Sequence, residues 1–235
     1  MTPQRLQTIQ RCLARRQPDL TVVLENVCKP HNLAAVARTL EAVGGLEIHA
    51  ISQRRSLRLS QMSAAGIRKW IAVKKHADIG SAVRRLKSDG FRIIATSLSE
   101  RAVDFRELDY TRPSAIVMGE EYDGISSQAA ALADEHITIP MSGMVQSLNV
   151  SVAAALVLYE AYRQREAAGH LAQCKLDTKT YQRLLFEACH PQLAKYCRQK
   201  AIPYPAMDDE AQIIEPVPGA AQQQHEGFAG WVREY

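Results

Sequence analysis

No apolar run in this sequence approaches the roughly 18 to 20 residues that a bilayer-spanning helix requires. The opening MTPQRLQTIQRCLARR also lacks the apolar stretch that leads a secreted chain. The expectation is a cytoplasmic protein with no membrane partner. Cysteine is sparse: Cys12, Cys28, Cys174, Cys189 and Cys197 are odd in number, scattered, and never spaced Cys-x-x-Cys. That pattern speaks for reduced thiols and against a disulfide framework or a zinc finger. Cys189 beside His190 has no second pair at ligand spacing, so no metal is expected. A Gly-x-Gly-x-x-Gly fingerprint is missing, and so is a Walker A loop. Their absence argues against nicotinamide oxidoreductases, against the commonest glycine-rich methyltransferase loop, and against kinases and NTPases. No internal repeat is present.

What the chain does have is enough apolar material for one sizeable core. Its 235 residues are 46% hydrophobic, which fits one large domain with appendages better than two equal ones. The net charge of +4 conceals a segregation. Residues 1–92 carry 17 Lys and Arg against 6 Asp and Glu, a net of +11, while the remainder carries 12 against 19, a net of −7. The cations recur in clusters: Arg5, Arg11, Arg15 and Arg16, then Arg54, Arg55 and Arg58, then Arg68 and Lys69, Lys74 and Lys75, and Arg84, Arg85 and Lys87. A single cluster is an ordinary solvated face, but asymmetry across a whole half points to a polyanion held by counterion release, hence to nucleic acid.

Periodicity divides the chain into four parts. Residues 1–20 hold a basic amphipathic helix over 4–16, with Leu6, Ile9 and Leu13 on one side and Pro18 after it. From 21 to 165, short β-branched runs alternate with helical stretches. Strands are predicted at 21–27, 46–51, 91–97, 114–119 and 136–140, and helices at 33–44, 79–88, 126–133 and 148–165. This alternation predicts an α/β domain, a parallel sheet with helices on both faces. Residues 166–205 read as a C-terminal helical extension, with helices near 178–188 and 192–200. Residues 206–235 are polar, aperiodic and rich in Pro and Gly, the pattern of a flexible tail.

Open parallel sheets bind ligands beyond the carboxyl ends of their strands, which directs attention to four loops: CKPHN (28–32), SLSERAVD (97–104), GEEYDG (119–124) and PMSGMVQS (140–147). In the first, Asn32 is placed to cap the following helix. Arg38, six residues on and about 120° around that helix, reads by itself as a solvated residue. In the fourth, Gly143 permits close backbone approach, Ser147 can cap the helix that begins near Leu148, and that helix offers free N–H donors. NVSVAAALVLYEAY is apolar nearly all round and predicts burial, including burial in a subunit interface.

Taken together, NLAAVART (32–39), VMGEEYDG (117–124) and IPMSGMVQSLNVSVA (139–153) resemble, in order and spacing, the three motifs of the SpoU (TrmH) family of RNA 2′-O-methyltransferases. RRQPDLTVVLENVCKPHN and AVDFRELDYTRP (102–113) are similar to its tRNA (guanosine-2′-O)-methyltransferase branch. The resemblance spans residues 5 to about 205. It implies a C-terminal trefoil knot, a homodimer, and S-adenosyl-L-methionine as cofactor, bound through Thr96, Gly119, Ile139 and Leu148. It also implies Arg38 as the catalytic residue, Asn32 orienting it, with Glu121, Ser147 and Asn149 supporting the site, and tRNA as substrate, methylated on a D-loop guanosine at position 18. Arg11, Arg15 and Arg16 are the expected RNA-binding arm. Ribosomal RNA as substrate, and a non-catalytic RNA-binding protein on the same scaffold, are the alternatives.

Overall fold

The computed structural model describes residues 2–27, 29–51, 70–120 and 123–215. Seven strands form one sheet: β1 (Leu20–Glu25), β2 (Glu47–Ile51), β3 (Ala72–His76), β4 (Arg92–Thr96), β5 (Val103–Asp104), β6 (Ser114–Met118) and β7 (Glu135–Thr138). They lie in the order β3-β2-β1-β6-β4-β7-β5, and every pairing is parallel. Strands covered on both faces must be apolar on both, and β1 and β6 are buried along their whole length.

Side chains alternate across the sheet and divide the core into two layers. On one face Leu20, Val22, Leu24, Ile94, Ile116 and Met118 pack beneath α2 (Pro30–Ala42) and α5 (Val150–Ala167). On the other, Val23, Ile93, Ala115 and Val117 pack beneath α3 (Ile79–Ser88) and α4 (Ser127–Leu132). Helices therefore cover both faces, as the alternation predicted. α2 contributes Leu33, Val36, Ala37 and Leu40 to its layer. It ends at Val43, after which Gly44 takes a φ of +90°, a conformation glycine adopts without steric cost.

Two strands were not predicted. β3 is AVKKH, whose Ala72, Lys74 and Lys75 are exposed. It is an edge strand, and lysines on an edge discourage pairing with other chains while erasing the hydrophobic alternation that identifies a strand. β5 has only two residues, too few to leave a pattern. Two helix starts also differ. α2 begins at Pro30 with Lys29 as its N-cap, so Asn32 lies inside the first turn instead of capping it. α5 begins at Val150, capped by the Asn149 side chain and not by Ser147.

The chain forms two compact units, residues 14–175 and residues 1–13 with 176–235. The larger unit extends on both sides of the strand–helix alternation because polar anchors hold its ends. Gln17 Nε2 donates to the Val43 carbonyl at 2.5 Å, and Lys175 Nζ donates to Asp19 at 2.9 Å. The smaller unit contains α6 (Thr178–Cys189) and α7 (Pro191–Lys200). Within it Phe186 is buried and stacks on Tyr204 with ring centroids 4.5 Å apart. Residues 206–215, expected to be flexible, are instead knitted together there. Met207 and Ile213 form an antiparallel bridge, Asp208 accepts from the amides of Glu210 and Gln212, and Ala211 is buried with its carbonyl 2.8 Å from His190 Nε2. Short polar side chains that bond their own backbone supply this order without hydrophobic periodicity. Residues 216–235 of the expected tail lie outside the described residues.

Candidate active site

A cleft of about 360 Å³ opens at the carboxyl ends of β4, β6 and β7, where a parallel sheet offers loops on both sides of a crevice. Thr96, Gly119, Ile139 and Leu148 all line it, and so does the exposed Ser147. These residues come from the end of β4 and from the loops after β6 and β7, far apart in sequence. The Thr96 hydroxyl donates to the Val117 carbonyl at 3.0 Å, tying β4 to β6 at the floor. Gly119 is required for the turn that follows: a Cβ there would stand 1.9 Å from the Gly124 carbonyl oxygen. Glu120 and Gly124 close that turn by exchanging both backbone hydrogen bonds, at 3.1 and 2.9 Å. Gly143 is different, because a Cβ there would meet nothing within 4 Å. Within this chain no close backbone approach demands glycine at that position.

Beneath the turn lies a support that sequence reasoning missed. Glu25, at the end of β1, is buried at 3% exposure. Its carboxylate accepts from Ser126 N at 2.8 Å and from Ser126 Oγ at 2.7 Å, while Ser126 caps α4. Read along the chain, VVLEN is simply a strand ending in a polar residue, and nothing local reveals a partner 101 residues away.

Asn32 and Asn149 meet across the two helices that share a face of the sheet. Asn32 is 3% exposed, and its Oδ1 accepts from Asn149 Nδ2 at 3.2 Å. Asn149 in turn caps α5 through the Ser151 amide at 2.9 Å. One side chain therefore fixes both the start of α5 and a buried amide on α2. Arg38 stands exposed on α2, outside the cleft wall, and makes no hydrogen bond or ion pair with another described residue. Glu121 lies outside the described residues.

The expected RNA-binding arm separates into three different environments. Arg11 is exposed on α1 (Pro3–Ala14). Arg15 is exposed too, but it is engaged by Tyr162 at 3.3 Å and by Glu166 at 3.2 Å. Arg16 does not belong to the arm. It is 3% exposed, bonds the Glu41 carboxylate at 3.0 Å and the Gly45 carbonyl at 3.1 Å, and lies over the Trp70 ring. α1 ends at Ala14, so neighbouring arginines beyond it need not share a helical face, and Arg16 turns inward. Of the other basic clusters, Lys74, Arg85 and Lys87 are exposed but paired with Glu47, Asp89 and Asp134. Arg54, Arg55, Arg58, Arg68 and Lys69 lie outside the described residues. Among the described residues no group of three His, Cys, Asp or Glu is placed to hold a metal, and no helix is long and apolar enough to cross a membrane.

Comparison with known proteins agrees with this architecture. A sequence model of the SpoU rRNA methylase family matches residues 19–159, and its C-terminal companion matches residues 163–216. The tRNA (guanosine(18)-2′-O)-methyltransferase of Escherichia coli (strain K12) is 53% identical over 215 residues, covering 91% of this chain and 94% of that protein. The enzyme of the same name from Thermus thermophilus is 52% identical over 184 residues, covering 78% of this chain and 95% of its own. The crystal structure of the A. aeolicus TrmH/SpoU tRNA modifying enzyme superposes with a TM-score of 0.72 at 37% identity, over 81% of this chain and 97% of that one. That of an AdoMet-bound rRNA methyltransferase from Sinorhizobium meliloti does so with a TM-score of 0.57 at 28% identity, over 66% and 59%. Matched by the family model over more than half its length and by such relatives over nearly all of it, the chain belongs to the SpoU methylase family.

Proposed function

We propose that this protein transfers a methyl group from S-adenosyl-L-methionine to the ribose 2′-hydroxyl of the guanosine at position 18 in the D-loop of tRNA. The observation that carries the reading is the cleft, which gathers Thr96, Gly119, Ile139, Ser147 and Leu148 from the end of β4 and the loops after β6 and β7 at the sheet's carboxyl end. Its residues suit the cofactor. Apolar walls from Ile125, Ile137 and Ile139 match a flat nucleoside, and the Glu120 and Asp123 carboxylates on the same lining match a ligand carrying positive charge. The family relatives named for the same reaction support the substrate.

When bound, the cofactor supplies an already activated methyl on a sulfonium, so the protein's task is alignment and charge management. Arg38 stabilises the developing 2′-alkoxide and grips a neighbouring phosphate. A guanidinium is a planar multiple donor with no acceptor atom, which suits it to that work and not to proton abstraction. Asn32, held by Asn149, fixes the first turn of α2, the helix that carries Arg38. Ser147 and Asn149, with Glu121 by the family resemblance, support the RNA site or the dimer. Because Arg38 is not on the cleft wall of its own chain, a homodimer is part of the proposal. Val152, Leu156 and Tyr159 recur at helical spacing on α5 and are 48%, 42% and 54% exposed, an apolar stripe that a second copy would cover. The family's trefoil knot and a cytoplasmic location complete the reading.

The test is direct. The protein is incubated with methyl-labelled S-adenosylmethionine and unmodified tRNA, and nuclease-resistant 2′-O-methyl dinucleotides are mapped. Label at guanosine 18 is expected. Label on a base, on ribosomal RNA alone, or on no RNA would overturn the assignment.

A further inference from the structure

Ser97 and His136 form a polar pair at the cleft that the motifs do not include. Parallel pairing of β4 with β7 sets Ala95 opposite His136 and Thr96 opposite Ile137, and Ser97 N donates to the Ile137 carbonyl at 3.0 Å. This register brings Ser97 Oγ within 3.1 Å of His136 Nδ1, and Ser97 Oγ donates to Ser99 Oγ at 3.3 Å. Ser97 lines the cleft, whereas His136 does not. The imidazole therefore stands behind the hydroxyl.

The chemistry of the two adjacent hydroxyls differs. Thr96 commits its proton to the Val117 carbonyl, a purely structural bond between strands. Ser97 lacks that carbonyl and finds an imidazole nitrogen. With the Ser97 proton given to Ser99, an Nδ1–H of His136 donates to Ser97 Oγ, which leaves the second oxygen lone pair for the cleft. An acceptor so held recognises a donor: a hydroxyl or amino group. Without the imidazole only the longer bond to Ser99 would hold the serine rotor among its staggered positions.

We propose that Ser97 is a specificity-determining acceptor for a hydroxyl or amino group of the bound nucleoside cofactor, and that His136 is the positioning residue that fixes its rotamer. The inference rests on the cofactor reading above and deepens it.

The experiment is calorimetric binding of S-adenosylmethionine and of S-adenosylhomocysteine to the full chain, without RNA. Ser97→Ala and His136→Leu should each weaken both ligands about 5- to 10-fold, the loss of one oriented hydrogen bond. His136→Asn should stay within about twofold of the parent, because its Nδ2 can donate where Nδ1 did. The double variant Ser97→Ala with His136→Leu should bind no more weakly than Ser97→Ala alone, since both changes remove the same interaction. In turnover, KM for the cofactor should rise while kcat holds. Parental affinity in Ser97→Ala and His136→Leu, or a shift only in thermal unfolding, would overturn the proposal, and additive losses would overturn the positioning role. If His136→Leu does not fold, Ser97→Ala and His136→Asn carry the test. Failure of the unaltered protein to bind either ligand would sink the cofactor reading itself, an outcome distinct from unchanged affinity among the variants.

Discussion

Arg38 and Arg16 show how little an arginine's identity says about its work. The first is exposed and has no partner among the described residues, while the second is 3% exposed and clamped to Glu41 and Gly45. Replacing Arg38 with Ala should lower kcat by about 10² to 10³, the usual cost of removing a donor aimed at developing negative charge, with cofactor affinity unchanged. Arg38→Lys should recover little of the loss, even at raised pH, because a point charge does not reproduce the planar fork. Full recovery at high pH would show that this geometry is dispensable. Arg11 and Arg16 should part company in a different measurement. Arg11→Ala should weaken tRNA binding and reduce its salt slope by about one, the signature of a lost phosphate contact. Arg16→Ala should instead cost about 1 to 3 kcal/mol of stability by leaving buried partners unmatched, with RNA affinity per folded molecule intact. Urea unfolding and a salt titration of binding distinguish the two.

At the scale of elements, α5 is held at its far end by one buried side chain. Arg165, fully buried, donates to the carbonyls of Tyr110, Asp19 and Arg112, to Gln17, and at 2.7 Å to the Asp19 carboxylate. Burial pushes its pKa down and Asp19 works against that shift. Asp19 experiences the reverse: burial raises its pKa, but Arg165 and Lys175 outweigh it and hold the carboxyl below its ordinary value. Arg165→Met should therefore cost about 3 to 5 kcal/mol in chemical unfolding, since it leaves several carbonyls unmatched and the partly buried Asp19 carboxylate with Lys175 as its remaining cation. The β2–β3 edge supplies the pH dependence. Burial raises the Glu47 pKa, yet hydrogen bonds from His49 and Lys74 bring it down to about 2 from 4.5. A depressed carboxylate contributes stability that is complete above its unfolded value and disappears as pH falls through its folded one. Glu47→Gln should thus cost about 1 to 2 kcal/mol at neutral pH, after allowance for solvent screening. Its unfolding free energy should converge with the parent's between pH 4.5 and about 2.

At the scale of the whole molecule, the exposed stripe on α5 leads to a prediction about assembly. Leu156→Glu should convert the proposed dimer into a monomer in light scattering, and an unchanged mass would reject that stripe as the contact. The sequence by itself determined the class of fold and most of its strands. β-branched runs such as LTVVLE and SAIVM can satisfy burial on two faces only in a covered parallel sheet, so local composition was sufficient. Resemblance to the family motifs named Thr96, Gly119, Ile139 and Leu148, and the fold gathers them at the carboxyl ends of strands, where a parallel sheet keeps its ligand loops. The sequence did not reveal β3, whose lysines answer to an edge and not to a core, or the order in 206–215, which rests on polar bonds. Nor could it say that Arg16 turns inward, that Asn149 caps α5 while holding Asn32, that Glu25 braces Ser126, or that His136 stands behind Ser97. Each of these is a pairing between residues distant along the chain. Periodicity records which side of an element is apolar, whereas the partner of a buried polar group is chosen only when strand register and helix packing bring the two atoms within hydrogen-bonding distance.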